Sequence, residues 1–423
     1  MLNSRPALFR LGGFSSLFAL LVACSSSPTS DPAKGSARDG EDGDDSTSTD
    51  ASTDGTGTDA SETGYDGALD DGLSGTTTEG ADLPAGEGDS DVGQGTVQAG
   101  GQGSTDDEEI DDLPAQAPTP QSNEPPSGQL TSGIYDDNLS FTFFKKYHDA
   151  SIDRITSGRL PFTWQDHTDA HARVDTAYVA RSALDIAVVF DTTGSMGDEL
   201  DYLKDEFESI TETVSALYPN AEQRWSLVVY RDENDEYVTR SQDFTADLQS
   251  FQSFLNDQTF DGGGDFPEAP DEGLAKANAL SWSGNEQTAQ LVFWVADAPH
   301  HNEKAQALAS AISHAQDQNI HIYPVASSGI DELTEFTMRQ SAQLTSGRYL
   351  FLTDDSGLGA GHKEPTLPCY YVSTLSDAII RSVQSEMDGA RVEIEDNAIV
   401  RFSGRLNVEG NCFFGSGYEA TPF

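Results

Sequence analysis

One apolar run of this chain ends in a carboxylate and two alternating hydroxyls: Asp185-Ile186-Ala187-Val188-Val189-Phe190-Asp191-Thr192-Thr193-Gly194-Ser195-Met196. A continuous run of this kind predicts a parallel strand that is buried on both faces. At the carboxyl end of such a strand, Asp191, Thr193 and Ser195 can turn toward one point, and a hard divalent cation accepts oxygen ligands of this type. The sequence therefore predicts a buried strand that leads directly into a cation site.

A long amphipathic helix is predicted after this turn. Apolar residues at spacings of three and four form one stripe: Leu200, Leu203, Phe207, Ile210, Val214 and Leu217. Acidic residues are assigned to the other faces: Asp198, Glu199, Asp201, Asp205, Glu206 and Glu208. A simpler interpretation makes Asp191 a helix cap and nothing more. Because a cap needs one oxygen acceptor and the turn supplies three oxygen-bearing side chains, the cation site is favoured.

From Leu184 onward, predicted strands alternate with predicted helices. This alternation indicates an α/β fold: a doubly wound, mostly parallel sheet with helices on both faces. After the first strand, further strands are predicted at 225–231, 291–296, 320–326 and 348–352. Helices are predicted at 247–256, 267–280, 303–318, 333–344 and 375–387. Ligands of such sheets bind at the carboxyl ends of the strands, where the first turn lies.

Two further loops add carboxylates to this edge of the predicted sheet. Asp297 follows the apolar run 291–296, and the Gly-rich loop 261–270 contains Asp265 and Glu268. The Gly-rich loop is no phosphate-binding loop, because the Gly-Lys-Ser/Thr ending is absent. Both loops are therefore predicted to contribute to the cation site.

Together the three loops resemble the metal-ion-dependent adhesion site of von Willebrand factor type A domains, over roughly residues 184–388. The resemblance implies that Asp191, Thr193 and Ser195 hold Mg²⁺, or Mn²⁺ or Ca²⁺, directly or through water. It also implies that Asp297 holds metal-bound water.

The Gly-rich loop departs from the commonest pattern of the family, which places a Thr there. It resembles instead a Gly-Gly-Gly-Asp-x-Pro-Glu variant, which implies Asp265 as the ligand and Glu268 as the alternative. A carboxylate in place of a hydroxyl makes the site more negative. We expect this change to favour the cation and to weaken the attraction of an acidic partner.

The resemblance implies an interaction or adhesion protein, whose protein ligand presents an acidic residue to the metal. Two alternatives stay open: a structural subunit of a cell-envelope assembly with a purely structural metal, and a metal-dependent hydrolase. The hydrolase is the weaker one, because Mg²⁺ activates water weakly and Ser195 is not in a G-x-S-x-G elbow. The prediction is therefore a protein that is not an enzyme.

The amino terminus predicts export and a lipid anchor. Residues 1–23 carry Arg5 and Arg10 before a short apolar run, which is typical of a signal peptide. The sequence Leu-Val-Ala before Cys24 resembles a bacterial lipobox, which implies cleavage before Cys24, its lipidation and stable membrane anchoring. The outer membrane is favoured over the inner one, with the head in the periplasm or outside the cell. An ordinary signal peptide with an incidental Cys is the alternative.

Behind this anchor, residues 24–128 predict a disordered acidic tether. The segment has 25 acidic residues against two basic ones and almost no aromatic residues, so it cannot bury enough apolar surface to order itself. The head, residues 129–423, still has 47 acidic against 19 basic residues. Nucleic acid is therefore excluded as a partner, since its phosphates need a basic face.

The chain has three cysteines. If Cys24 is lipidated, Cys369 and Cys412 remain as a pair in an oxidising compartment, where a disulfide is the expected state; two buried free thiols are the alternative. Residues 129–183 are too aromatic for a linker, so they predict an extension that packs on the domain 184–388. Residues 389–423 predict a short β extension, with strands at 392–400 and 400–408.

Five polar residues near the predicted site have an interpretation that involves no metal and no catalysis. His300 and His301 follow Asp297 and are interpreted as solvated loop residues rather than as a base or as metal ligands. The loop after the second strand is interpreted as a charged turn rather than as a calcium site, which would use Asp232, Asn234 and Glu236.

Overall fold

The computed structural model describes residues 122–174, 179–264, 266–359, 361–413 and 419–423. These ranges lie within one compact unit of the chain. The predicted signal peptide, Cys24, and the predicted acidic tether up to residue 121 lie outside the described residues, as does Asp265. Within the described ranges, no helix is both long enough and apolar enough to span a bilayer.

A nine-stranded sheet forms the centre of the described head. Its strands, in the order in which they lie side by side, are β4 (Thr239–Thr245), β3 (Glu222–Tyr230), β2 (Ala183–Asp191), β5 (Thr288–Ala296), β6 (His321–Ala326), β7 (Tyr349–Thr353), β1 (Thr131–Tyr135), β8 (Cys369–Thr374) and β9 (Arg401–Gly404). Parallel pairing joins β3, β2, β5, β6 and β7, and the other pairings are antiparallel. The predicted α/β fold with a mostly parallel sheet is confirmed.

The two faces of this sheet carry separate helices. One face packs against α3 (Leu200–Leu217), α4 (Leu248–Asn256) and α8 (Leu375–Asp388). The other packs against α5 (Pro270–Asn278), α6 (Ala305–Asp317) and α7 (Glu332–Leu344). Alternate residues of β2 pack into the hydrophobic cores on the two faces, with Val188 in the first core and Val189 in the second. This arrangement explains why β2 is apolar without interruption.

The predicted extension 129–183 contributes a strand to the sheet itself. Strand β1 pairs antiparallel with β7 on one side and with β8 on the other. Helices α1 (Phe141–Arg154) and α2 (Trp164–His171) follow it, and α1 packs in a third cluster that also holds both cysteines of the disulfide. The sequence pattern missed this strand. Its middle residue is Gly133, where a Cβ atom would lie 2.2 Å from the Phe351 ring.

The sequence pattern predicts Glu206 on an outer face of the helix, and this prediction is wrong. Its side chain is buried, and its Oε1 accepts a hydrogen bond of 3.0 Å from the backbone N–H of Leu130. The hydroxyl of Ser376 donates to its Oε2. Glu206 thus ties α3 to the entry of β1 and to α8, because a buried carboxylate requires donors.

The carboxyl-terminal segment is anchored by a disulfide. Cys369 in β8 and Cys412 are bonded, with 5.6 Å between their Cα atoms, so the predicted pairing is confirmed. Cys412 begins β10 (Cys412–Phe413), which pairs with β11 (Glu419–Ala420). Of the two predicted strands here, 400–408 contains β9, which is shorter than predicted, whereas 392–400 is not a strand and contains a 3-10 turn at Asp396–Ala398.

Candidate metal centre

The turn after β2 brings its three predicted side chains together. Asp191 is fully buried, and its Oδ1 accepts hydrogen bonds from the backbone N–H of Thr193 (3.0 Å) and from the hydroxyl of Thr193 (2.7 Å). The Thr193 and Ser195 hydroxyl oxygens lie 3.3 Å apart. The other carboxylate oxygen of Asp191, Oδ2, is buried and has no hydrogen-bond partner.

Asp297 lies at the same edge of the sheet, because β5 runs parallel to β2 and ends beside it. Its side chain is buried, and its Oδ1 also lacks a hydrogen-bond partner. Burial raises the pKa of this carboxyl, and the Ser195 hydroxyl lowers it by a smaller amount. Two of the three predicted loops therefore converge on one point.

The third loop contributes Glu268. Its backbone N–H donates to the Pro299 carbonyl (2.9 Å), which holds the loop against the segment that follows β5. The Glu268 side chain is buried, and its Oε2 has no partner. Gly263, at a φ of +63°, allows this approach, since a Cβ atom there would lie 2.7 Å from Oε1 of Glu268 and 3.3 Å from Cβ of Thr193.

The three buried acids repel one another. Burial raises the pKa of Asp191 to about 6 and that of Asp297 to about 7, and the charge of Asp191 contributes to the second rise. Burial, followed by the charges of Asp191 and Asp232, raises the pKa of Glu268 to about 9. Without a counter-charge, full ionisation of this group at neutral pH is unfavourable.

The donor set matches a hard divalent cation. No group of three or more His, Cys, Asp or Glu side chains within the described ranges is arranged to hold a metal by itself; two of the predicted ligands are hydroxyls, and Asp265 lies outside those ranges. Three buried carboxylate oxygens at this edge have no hydrogen-bond partner, and the Thr193 hydroxyl lies between the Asp191 carboxylate and the Ser195 hydroxyl. Oxygen ligands of this type are those that Mg²⁺, Mn²⁺ and Ca²⁺ accept.

Comparison with known proteins identifies the fold around this site. Residues 185–359 match the family model described as the von Willebrand factor A domain. Over these residues, which are less than half of the chain, the sequence is similar to a von Willebrand factor A domain. The matched segment begins in β2, ends after β7, and includes the Asp191 turn, Glu268 and Asp297. It leaves out β1 and β8.

The alignments with individual proteins cover only part of the length of each protein. An ariadne-like RING finger protein of Acanthamoeba polyphaga mimivirus is 27% identical over 190 residues, which is 41% of this chain and 18% of that protein. Two crystal structures of the pilus adhesin SpaC from Lactobacillus rhamnosus GG, one of them in an open conformation, align at 14% and 12% identity. Each alignment has a TM-score of 0.32 and covers 39% of this chain, with 26% and 27% of the adhesin. The chain thus spans less than a third of the length of each of these proteins.

A second row of polar residues lies around the candidate metal centre. Asp235 Oδ2 accepts from the backbone N–H groups of Asp232 (3.1 Å) and Gly263 (2.9 Å). His301 Nε2 lies 2.6 Å from Asp232 Oδ1. The buried His300 ring bonds to the Gly158 carbonyl (2.7 Å). The interpretation of His300 as solvated is therefore wrong, because its ring is buried. The His301 side chain stays 19% exposed and pairs with Asp232.

Glu199 is a buried residue of this edge that sequence reasoning placed on an outer helix face. Its Oε1 accepts from the Ser328 backbone N–H (3.1 Å) and lies 2.9 Å from His362 Nε2. The charge of Glu199 also contributes to the raised pKa of Asp297. The sequence contains little indication that Glu199 is buried, since an acidic residue beside the start of a helix is typical of a solvated surface.

Proposed function

We propose that the von Willebrand factor A domain of this chain binds a divalent cation at the edge formed by Asp191, Glu268 and Asp297, and that this edge is a protein-interaction site. One observation carries the proposal: each of these acids has a buried carboxylate oxygen without a hydrogen-bond partner. A cation supplies the missing counter-charge, and its role is to stabilise the loops and present the edge to a partner. The proposed role is not enzymatic.

Each residue of the site has a distinct part in this proposal. Asp191 would bind the cation through Oδ2, since Thr193 occupies its Oδ1. The Thr193 and Ser195 hydroxyls would complete the first loop's contribution. Glu268 is proposed for the third loop in preference to Asp265, because its buried Oε2 is unpartnered.

Divalent cation should stabilise the full chain. At a hundredfold excess of Mg²⁺ or Mn²⁺ over the dissociation constant, binding to the folded state contributes about 2.7 kcal/mol, which raises the melting temperature by about 5 to 10 °C. Asp191→Ala should abolish this response in a scanning-calorimetry experiment and still fold, since it removes one of several like charges. Asp205→Ala, on the exposed side of α3, is the matched control and should respond like the wild type. A wild-type melting temperature that ignores millimolar cation would contradict the proposal.

The size of this gain should depend on pH. The pKa values of Asp191 and Asp297 are raised in the folded state to about 6 and 7, against about 4 in the unfolded chain. Without metal, their contribution to stability is therefore present below pH 4 and is lost as the pH rises through 6 and 7. Cation binding displaces these protons, so its affinity should rise by about tenfold per pH unit for each proton displaced. A gain that is equal at pH 5 and pH 8 would contradict the assignment.

Matched substitutions show whether Glu268 or Asp265 supplies the ligand of the third loop. Glu268→Gln removes the charge of the buried side chain, and we expect the dissociation constant for Mn²⁺ to rise by about 10-fold to 100-fold. Asp265→Asn should change it less than threefold. Titration followed by electron paramagnetic resonance of free Mn²⁺ measures both, and the reverse ranking would assign the third loop to Asp265.

We also propose that the chain is exported and anchored through Cys24 to the cell envelope, at the outer rather than the inner membrane. The lipobox resemblance supports this, and the disulfide of the head fits an oxidising compartment. Cys24→Ser should move the protein from the membrane fraction to the soluble fraction on cell fractionation, whereas Ser25→Ala should not. Retention of the Cys24→Ser protein in the membrane fraction would end this proposal.

A further inference from the structure

We infer that the partner of this edge is basic: a protein segment that carries Lys or Arg side chains next to apolar ones. The inference deepens the proposed function, on which it rests, by naming the chemistry of the partner. It differs from the sequence expectation of a partner that presents an acidic residue to the metal. Three features of the edge lead to it.

The first feature is a concentration of negative charge. The four loops around the site, residues 191–199, 231–238, 257–272 and 297–304, contain 15 acidic and 2 basic residues. The rest of the head, from residue 129, contains 32 acidic and 17 basic residues. The excess is therefore focused on this edge and is not merely the average of an acidic protein.

The second feature is that neither basic residue of these loops offsets the charge for a partner. Arg231 is buried, with its guanidinium 3.9 Å from the Glu236 carboxylate. Lys304 forms an ion pair with Glu233. One divalent cation adds two positive charges, which is far fewer than the acidic residues present. An acidic partner would still meet repulsion at this edge, whereas a basic one is attracted.

The third feature is a pair of exposed aromatic rings beside the site. Phe260 and Phe266 are 42% and 48% exposed, and they are the strongly exposed aromatic residues of the described part of the chain. The Phe260 ring lies against the Ser195 turn, since a Cβ atom at Gly197 would be 2.8 Å from it. Such rings contact the alkyl stems and the cationic heads of Lys and Arg. Charge and apolar contact thus coincide on one face.

Peptide probes test this inference on the full chain. Fluorescence anisotropy is measured with a fluorescein-labelled peptide of alternating arginine and leucine, and with its counterpart in which glutamate replaces arginine, both in Mg²⁺. We expect the arginine peptide to bind at least about tenfold more tightly and to weaken between about 0.05 and 0.3 M salt. Phe260→Ser/Phe266→Ser should weaken it at both salt concentrations, because it removes apolar contact.

A matched pair of charge variants separates a local effect from the overall acidity. Asp261→Asn/Glu272→Gln neutralises two exposed residues of the edge, and Asp205→Asn/Glu212→Gln neutralises two on the outer side of α3. The edge variant should weaken the arginine peptide at least about threefold more than the α3 variant. Equal effects of the two variants, tighter binding of the glutamate peptide, or no binding of the arginine peptide at about 1 mM would each overturn the inference.

The Mg²⁺-dependent rise in melting temperature is recorded on the same samples. A protein that responds to Mg²⁺ but does not distinguish the peptides retains the cation site and refutes the basic partner. A protein that binds the arginine peptide without any response to Mg²⁺ retains the basic partner and refutes the cation site.

Discussion

Replacing Arg339 by methionine is expected to lower the free energy of unfolding by about 3 to 5 kcal/mol. Its guanidinium is fully buried and pairs with the Asp137 carboxylate through two contacts, 2.5 Å from Nη2 and 2.9 Å from Nε. The buried Glu335 carboxylate lies 3.5 Å from Nη1. Removing the cation leaves both acids buried without this partner, and the cost of a lone buried charge exceeds that of losing the whole pair.

Urea unfolding of the full chain measures this loss. The matched control is Arg339→Met/Asp137→Leu, which also removes the acid and should recover a large part of the stability. Arg339 donates in addition to the Thr366 carbonyl (3.0 Å), so the network joins α7 to the segments before α1 and before β8. A single substitution that costs less than about 1 kcal/mol would show that this buried network does not hold those segments.

Removing the disulfide is expected to have the second-largest effect, about 3 to 4 kcal/mol by the loop-entropy relation for a sequence separation of 43 residues. The double variant Cys369→Ser/Cys412→Ser removes the covalent link without leaving an odd thiol. Both positions are buried, so the serine hydroxyls add a small further penalty. Unfolding in urea, compared with wild type, reports the difference.

Alkylation under non-reducing conditions provides the control for this prediction. In wild-type protein, intact-mass measurement should find neither thiol of the head labelled. After reduction of the unfolded protein, both should be labelled. Labelling of the folded, unreduced protein, or a double variant as stable as wild type, would contradict a bonded pair that restricts the unfolded chain.

The parallel core of the fold could be predicted from the sequence because its signal is local. Strand β2 is apolar at every position between Ile186 and Phe190, and only a strand covered on both faces requires that pattern. Strand β1 is Thr-Ser-Gly-Ile-Tyr, whose composition resembles that of a loop. Its place between β7 and β8 depends on partners more than 200 residues away, which no local pattern contains.

The candidate site shows the same division. Asp191 and Asp297 could be predicted because each follows an apolar strand directly, and the ends of neighbouring parallel strands must meet. Glu199 and His300 could not, because their burial depends on Ser328 and Gly158, which belong to distant segments. An acidic residue or a histidine looks the same in the sequence whether its side chain contacts water or a remote backbone group.

The position of β1 has a mechanical consequence. The chain first contacts the head at Asn123, whose backbone N–H donates to the Ile399 carbonyl (3.1 Å). Strand β1 follows, and backbone hydrogen bonds to β7 and β8 hold it on both sides. A pull applied along β1 from its amino-terminal end therefore loads both ladders in shear, so that their bonds share the force instead of opening one after another. Strand β1 lies inside the sheet, so tension that reaches the head through it is not borne by a peripheral strand.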